Sequence, residues 1–90
     1  MTTRYRTTET TTWREVDGEV VALELKESVY YSIGGSGNLL WTRLADGATK
    51  DDLVAALTAE HADVEPAVAE ADVQEFLDEG LKQGLIETVE

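Results

Sequence analysis

The stretch SVYYSIGGSG, Ser28 to Gly37, decides how the chain is read. Val29 to Ile33 is rich in β-branched and aromatic residues and reads as a strand, with Val29, Tyr31 and Ile33 on one face and Tyr30 and Ser32 on the other. Three glycines follow within four positions, and an apolar helical pattern starts at once. The junction therefore reads as a strand closed by a turn, as a glycine-rich phosphate cradle, or as a strand edge with which another chain pairs.

Upstream the pattern has period two. Trp13 to Val16 forms a short strand, and Asp17-Gly18 is a two-residue hairpin signal because both positions accept positive φ. In Glu19 to Leu25, Val21, Leu23 and Leu25 alternate against Ala22 and Glu24, which predicts a strand buried on the first of these faces. Lys26-Glu27-Ser28 turns the chain into the third strand, and such short connections favour an antiparallel meander. Residues 1–10 are Thr-rich and nearly free of apolar groups, and read as a flexible tail preceding a domain over 11–90.

Downstream the period changes. Leu39, Leu40, Trp41 and Leu44 predict a helix from Ser36 or Gly37 to Ala45, stopped by Asp46-Gly47. Thr49 is an N-cap with Asp52 three residues on, and Leu53, Val54, Ala56 and Leu57 form the apolar face of a second helix ending near His61. Pro66 opens a third, along which Val68, Val73, Phe76, Leu77, Gly80 and Leu81 recur until Gly84. Leu85, Ile86 and Val89 make a short closing segment. Strands followed by helices, with neither a repeat nor a linker, indicate one α+β domain.

Composition excludes several function classes. The 90 residues include no cysteine, so there is neither a disulfide framework nor a thiolate metal site. The single histidine, His61, leaves no nucleophile–base pair of the usual kinds, and it suits a helix end better than a metal. GGSGN is not G-x-S-x-G, and Leu40 stands where a dinucleotide fingerprint needs its third glycine. Ser28, Ser32 and Ser36 all lack the Asp-Ser-Leu-like context of an acyl carrier. No catalytic residues, metal or cofactor are expected. No apolar run approaches the ~20 residues that span a bilayer, and the N-terminus lacks a signal-peptide core, so the expected location is the cytoplasm.

The net charge is −12, of which residues 46–90 contribute −11. Such a surface repels nucleic acid. Its acids either simply keep the domain soluble or favour a basic peptide or protein face.

Taken together, WREVDGEVV (Trp13–Val21), VYYSIGGSGNLLWTRLADG (Val29–Gly47), LVAAL (Leu53–Leu57) and DVQEFLDEGLKQGLI (Asp72–Ile86), in that order, resemble the PqqD-like family of precursor-peptide recognition elements in the biosynthesis of ribosomally made, modified peptides. The likeness is greatest to the stand-alone leader-binding proteins of lasso-peptide clusters, although Gly34 stands where many relatives carry Asn.

The resemblance implies a winged-helix-turn-helix-like fold, a three-stranded antiparallel sheet followed by three helices. It implies a non-catalytic adaptor that adds the leader of a precursor peptide as a strand beside the third strand, next to the third helix. It also implies partners, namely a cysteine-protease-like leader peptidase and a cyclase, with no nucleic acid or membrane involved. On that reading the main chain of Val29, Tyr30, Tyr31, Ser32 and Ile33 pairs with the guest. Val73, Phe76 and Leu77 are candidates for an apolar pocket wall, unless they are plain core. Asp72, Glu75 and Glu79 are candidates for attracting a basic leader. The alternative from the same topology, a winged-helix DNA-binding regulator, is opposed by five acids on the helix that would face phosphate: Glu70, Asp72, Glu75, Asp78 and Glu79. An open third-strand edge also permits self-pairing into a dimer.

Overall fold

The computed structural model describes residues 3–89. Its elements in chain order are β1 (Arg4–Thr7), β2 (Thr11–Val16), β3 (Glu19–Glu24), β4 (Val29–Ile33), α1 (Ser36–Ala45), β5 (Ala48–Thr49), α2 (Lys50–Glu60), α3 (Pro66–Lys82) and β6 (Ile86–Val89). The third strand of the sequence reading is thus β4. Two antiparallel sheets form, one in the order β2-β3-β4 and the other β5-β1-β6.

The β2–β3 hairpin turns at Asp17 (φ 51°) and Gly18 (φ 82°), which sets Val16 opposite Glu19. Two positive φ values in succession give the turn the hand that matches strand twist. Strand β3 buries the opposite face from the one its hydrophobicity predicts. Val20, Ala22 and Glu24 are buried, Val21 and Leu23 are half-covered, and Leu25 is 54% exposed. Packing across strands explains the reversal. Ala22 lies between Trp13 on β2 and Tyr31 on β4. A small residue between two large ones leaves room for Trp41 of α1, which meets Trp13 edge-on at a centroid distance of 6.2 Å. Glu24 tolerates burial at 3% exposure because its carboxylate accepts hydrogen bonds from Thr10 and from the Glu27 backbone N–H, the latter at 2.7 Å.

The flexible tail expected over residues 1–10 is corrected over most of its length; Met1 and Thr2 lie outside the described residues. Arg4–Thr7 is the central strand of the second sheet, paired with β5 on one side and with β6 on the other. Thr8 continues the attachment, its N–H donating to Leu85 O at 3.0 Å and its hydroxyl to Gly84 O at 2.8 Å. Threonine is a strand former, but β1 draws its stability from partners about forty and eighty residues away, which local periodicity cannot display.

The helices follow their end signals. Gly35, at φ 59°, is the N-cap of α1. Thr49 and Asp52 form a reciprocal capping box on α2, and Pro66 occupies the first turn of α3. The core comprises Leu40, Trp41 and Leu44 from α1, Leu53 and Leu57 from α2, and Ala69, Val73 and Leu77 from α3, closed by Val20, Ala22, Ala48, Leu85 and Ile86. The inward stripe of α3 starts at Ala69; Val68 and Leu81, expected to be inward, are exposed. Gly80 brings α3 against β6 so closely that a Cβ there would collide with the Ile86 side chain. Among the described residues no helix is long and apolar enough to cross a membrane.

Candidate functional site

The free edge of β4 follows from the hairpin register. The type I′ turn bonds Val16 to Glu19, and hydrogen-bonded pairs in an antiparallel ladder recur at every second residue. Glu19, Val21 and Leu23 therefore bond to β2. The Leu25 N–H continues the series, donating to Thr10 O at 2.7 Å. The alternate residues Val20, Ala22 and Glu24 turn their main chain to β4, where they face Ile33, Tyr31 and Val29. That leaves the N–H and C=O groups of Tyr30 and Ser32 directed at the open edge, on which no strand lies among the described residues. Their side chains point away from the core, and Tyr30 is 72% exposed.

Beside this edge runs a groove of about 620 Å³ between β4 and α3. The turn Gly34-Gly35 carries the chain from β4 into α1, whose first residues form one end of the groove. Gly37 has a packing reason: a Cβ there would lie 2.8 Å from Ile33 Cγ2 and 3.8 Å from Phe76 Cε1. Absence of that carbon leaves room over α1 for the Ile33 side chain, with Phe76 beside it in the groove wall and Leu40 and Trp41 beneath as an apolar floor. Trp41 Nε1 is buried there without a hydrogen-bond partner among the described residues. At the other end Tyr31 Oη donates to Gln83 Oε1 at 2.8 Å, and Gln83 Nε2 donates to Glu79 Oε1 at 3.1 Å. Strand and helix run in opposite directions, since Tyr31 lies by Gln83 and Ile33 by Phe76.

Asp72, Glu75 and Glu79 line the α3 wall, and among the described residues no Lys or Arg lines the groove. An extended chain lying here would meet apolar surface below and negative charge along one side. The structure thus brings together Tyr31, Ser32, Ile33, Asp72, Glu75, Phe76 and Glu79 from the sequence-predicted set. Val29 and Tyr30 belong to the edge strand but do not line the groove. Val73 and Leu77 are fully buried in the core and form no part of its wall. They belong to the buried side of α3, which packs on α2, one helical step round from Phe76. Sequence reasoning missed Leu40, Trp41 and Gln83. For Gln83 a signal existed, because it continues the row Asp72, Glu75 or Phe76, and Glu79 at steps of three to four.

Comparison with known proteins finds relatives of this fold. The solved structure "TbiB1 in Complex with the TbiA(beta) Leader Peptide" superposes with a TM-score of 0.86 at 27% identity, covering 91% of this chain and 94% of that one. "Lasso peptide synthetase B1 complexed with the leader peptide" superposes with a TM-score of 0.82 at 24% identity, covering 92% and 96%, and speaks to the fold alone. No curated protein matches the sequence. The family model described as Coenzyme PQQ synthesis protein D (PqqD) matches residues 19–86, most of the chain from the first residue of β3 to the first of β6, and the chain belongs to that family.

Proposed function

We propose that this protein is a non-catalytic adaptor that binds the leader segment of a ribosomally made precursor peptide as an added strand on β4, and presents it to a leader peptidase and a cyclase in lasso-peptide biosynthesis. One observation carries the reading: Tyr30 and Ser32 direct two N–H and two C=O groups at an open edge, alongside a groove with an apolar floor. Strand addition uses main-chain bonds for affinity and alternate side-chain pockets for specificity. The TbiB1 structure, similar over nearly the whole chain, was determined with a leader peptide bound, which supports a leader peptide as the ligand.

The carboxylates Asp72, Glu75 and Glu79 favour a guest with basic residues on the α3 side. They also oppose nucleic acid as the ligand. Titration of labelled lasso-precursor leaders, the TbiA(β) leader among them, by fluorescence anisotropy at low and high salt tests this function. Saturable binding is expected, with salt and Glu75→Lys each weakening a basic leader several-fold. Absence of binding would contradict the adaptor reading. Binding indifferent to both salt and Glu75→Lys would contradict the role of the carboxylates.

A further inference from the structure

The hydrogen-bonded chain from Tyr31 through Gln83 to Glu79 crosses the groove from strand to helix. Gln83 is the C-cap of α3, and its main-chain N–H is already bonded to Glu79 O and Leu81 O, so the root of its side chain is fixed. Among the described residues no other hydrogen bond joins β4 to α3 or its cap. The groove is therefore spanned by polar groups at the Tyr31 end and floored by Ile33, Phe76 and Leu40 at the other.

A guest strand on β4 meets these two ends at defined positions. Its residues opposite Tyr30 and Ser32 make the main-chain bonds and face outward. Its residues opposite Tyr31 and Ile33 face inward, because successive side chains alternate across a strand. These inward positions are the non-hydrogen-bonded pairs, in which the facing Cα atoms approach to ~4.5 Å and the side chains come closest. The guest residue opposite Tyr31 thus sits directly above the phenol and the Gln83 amide. A large side chain there must break the part-buried Tyr31–Gln83 hydrogen bond, with the exposed Gln83–Glu79 bond behind it, or lift the strand from its edge.

We propose that the Tyr31–Gln83 bridge is a size filter. It restricts the guest residue opposite Tyr31 to a small side chain, while the position two residues away, opposite Ile33, takes a large apolar one. Gln83 is then a specificity-determining residue. The inference rests on the strand-addition reading above and deepens it.

The test is selection of short random peptides, displayed on phage, against the folded wild type and the Gln83→Ala and Tyr31→Phe variants. Gln83→Ala removes the amide. Tyr31→Phe keeps the ring and releases the amide to rotate, so it preserves the test where Gln83→Ala fails to fold. The wild type is expected to enrich a small residue two positions from a large apolar one, with roughly tenfold exclusion of large residues at the first position. Both variants are expected to lose that exclusion while keeping the apolar preference at the second. Large residues accepted equally by the wild type, or an unchanged small-residue preference in both variants, would overturn the filter. Selection of no peptide at all by the wild type would overturn the strand-addition reading itself, and the filter with it.

Discussion

Glu24 is the acid on the face of β3 that packing around Ala22 turns inward. Its side chain stays inside because the Thr10 hydroxyl and the Glu27 N–H satisfy the carboxylate, and these bonds, the Thr10 hydroxyl's first, hold its pKa below the ordinary glutamate value of 4.5. A native pKa below the unfolded one means that the folded protein binds this proton less readily. The stabilisation is complete above the unfolded value and is lost as pH falls through the folded one. Glu24→Gln is therefore expected to lower Tm at neutral pH, with the difference from wild type shrinking as pH falls below 4.5. Thermal melts followed by circular dichroism across that range check it. A constant difference at all pH values would show that packing, and not the ionised carboxylate, is at stake.

Strand β4 has two inequivalent sets of main-chain groups. Tyr31 and Ile33 hold the sheet together, and Tyr30 and Ser32 face the open edge. Proline at Ser32 removes an outward N–H and leaves the β3–β4 ladder intact, as edge strands allow. Ser32→Pro is expected to keep the fold by circular dichroism and to weaken leader binding on the order of tenfold. Tyr31→Pro is expected to cost the fold itself. Equal loss of structure in the two variants would contradict this assignment.

At this level the sequence was legible where the signals are local. The Asp17-Gly18 turn, the Thr49–Asp52 capping box and Pro66 each act within a few residues, and the elements begin or end near where those residues predict. It was not legible where partners are distant. The more apolar face of β3 lies outward because Trp13, Tyr31 and Trp41 converge on Ala22, a fact of three-dimensional packing. The candidate site was half legible for the same reason. The edge strand and the acidic helix row are local patterns. The floor and the Gln83 bridge exist only once α1 and the end of α3 are brought to β4.

At the scale of the whole molecule, one N-terminal strand forms the centre of the second sheet. Strand β1 pairs with β5 and β6, and Arg6 reaches Glu87 across the pair, Nε to Oε2, at 2.6 Å. Its deletion exposes Tyr5's packing partners and two strands at once. A chain lacking residues 1–7 is expected to lose its cooperative thermal transition, whereas removal of a flexible tail would leave Tm unchanged. The charge is also organised at this scale. Most of the −12 resides in the second half of the sequence, which places the field on the helices, while the edge that offers main-chain bonds lies on the sheet.

The strand-addition account is tested most directly by amide hydrogen exchange, read residue by residue by NMR, with and without a bound leader peptide. In the free protein the Tyr31 and Ile33 amides are expected to exchange slowly, and those of Tyr30 and Ser32 quickly. Bound leader should slow Tyr30 and Ser32 and leave the β2 edge unaltered. Protection that appears on β2 instead, or leader binding that leaves Tyr30 and Ser32 exchanging as before, would contradict the central claim.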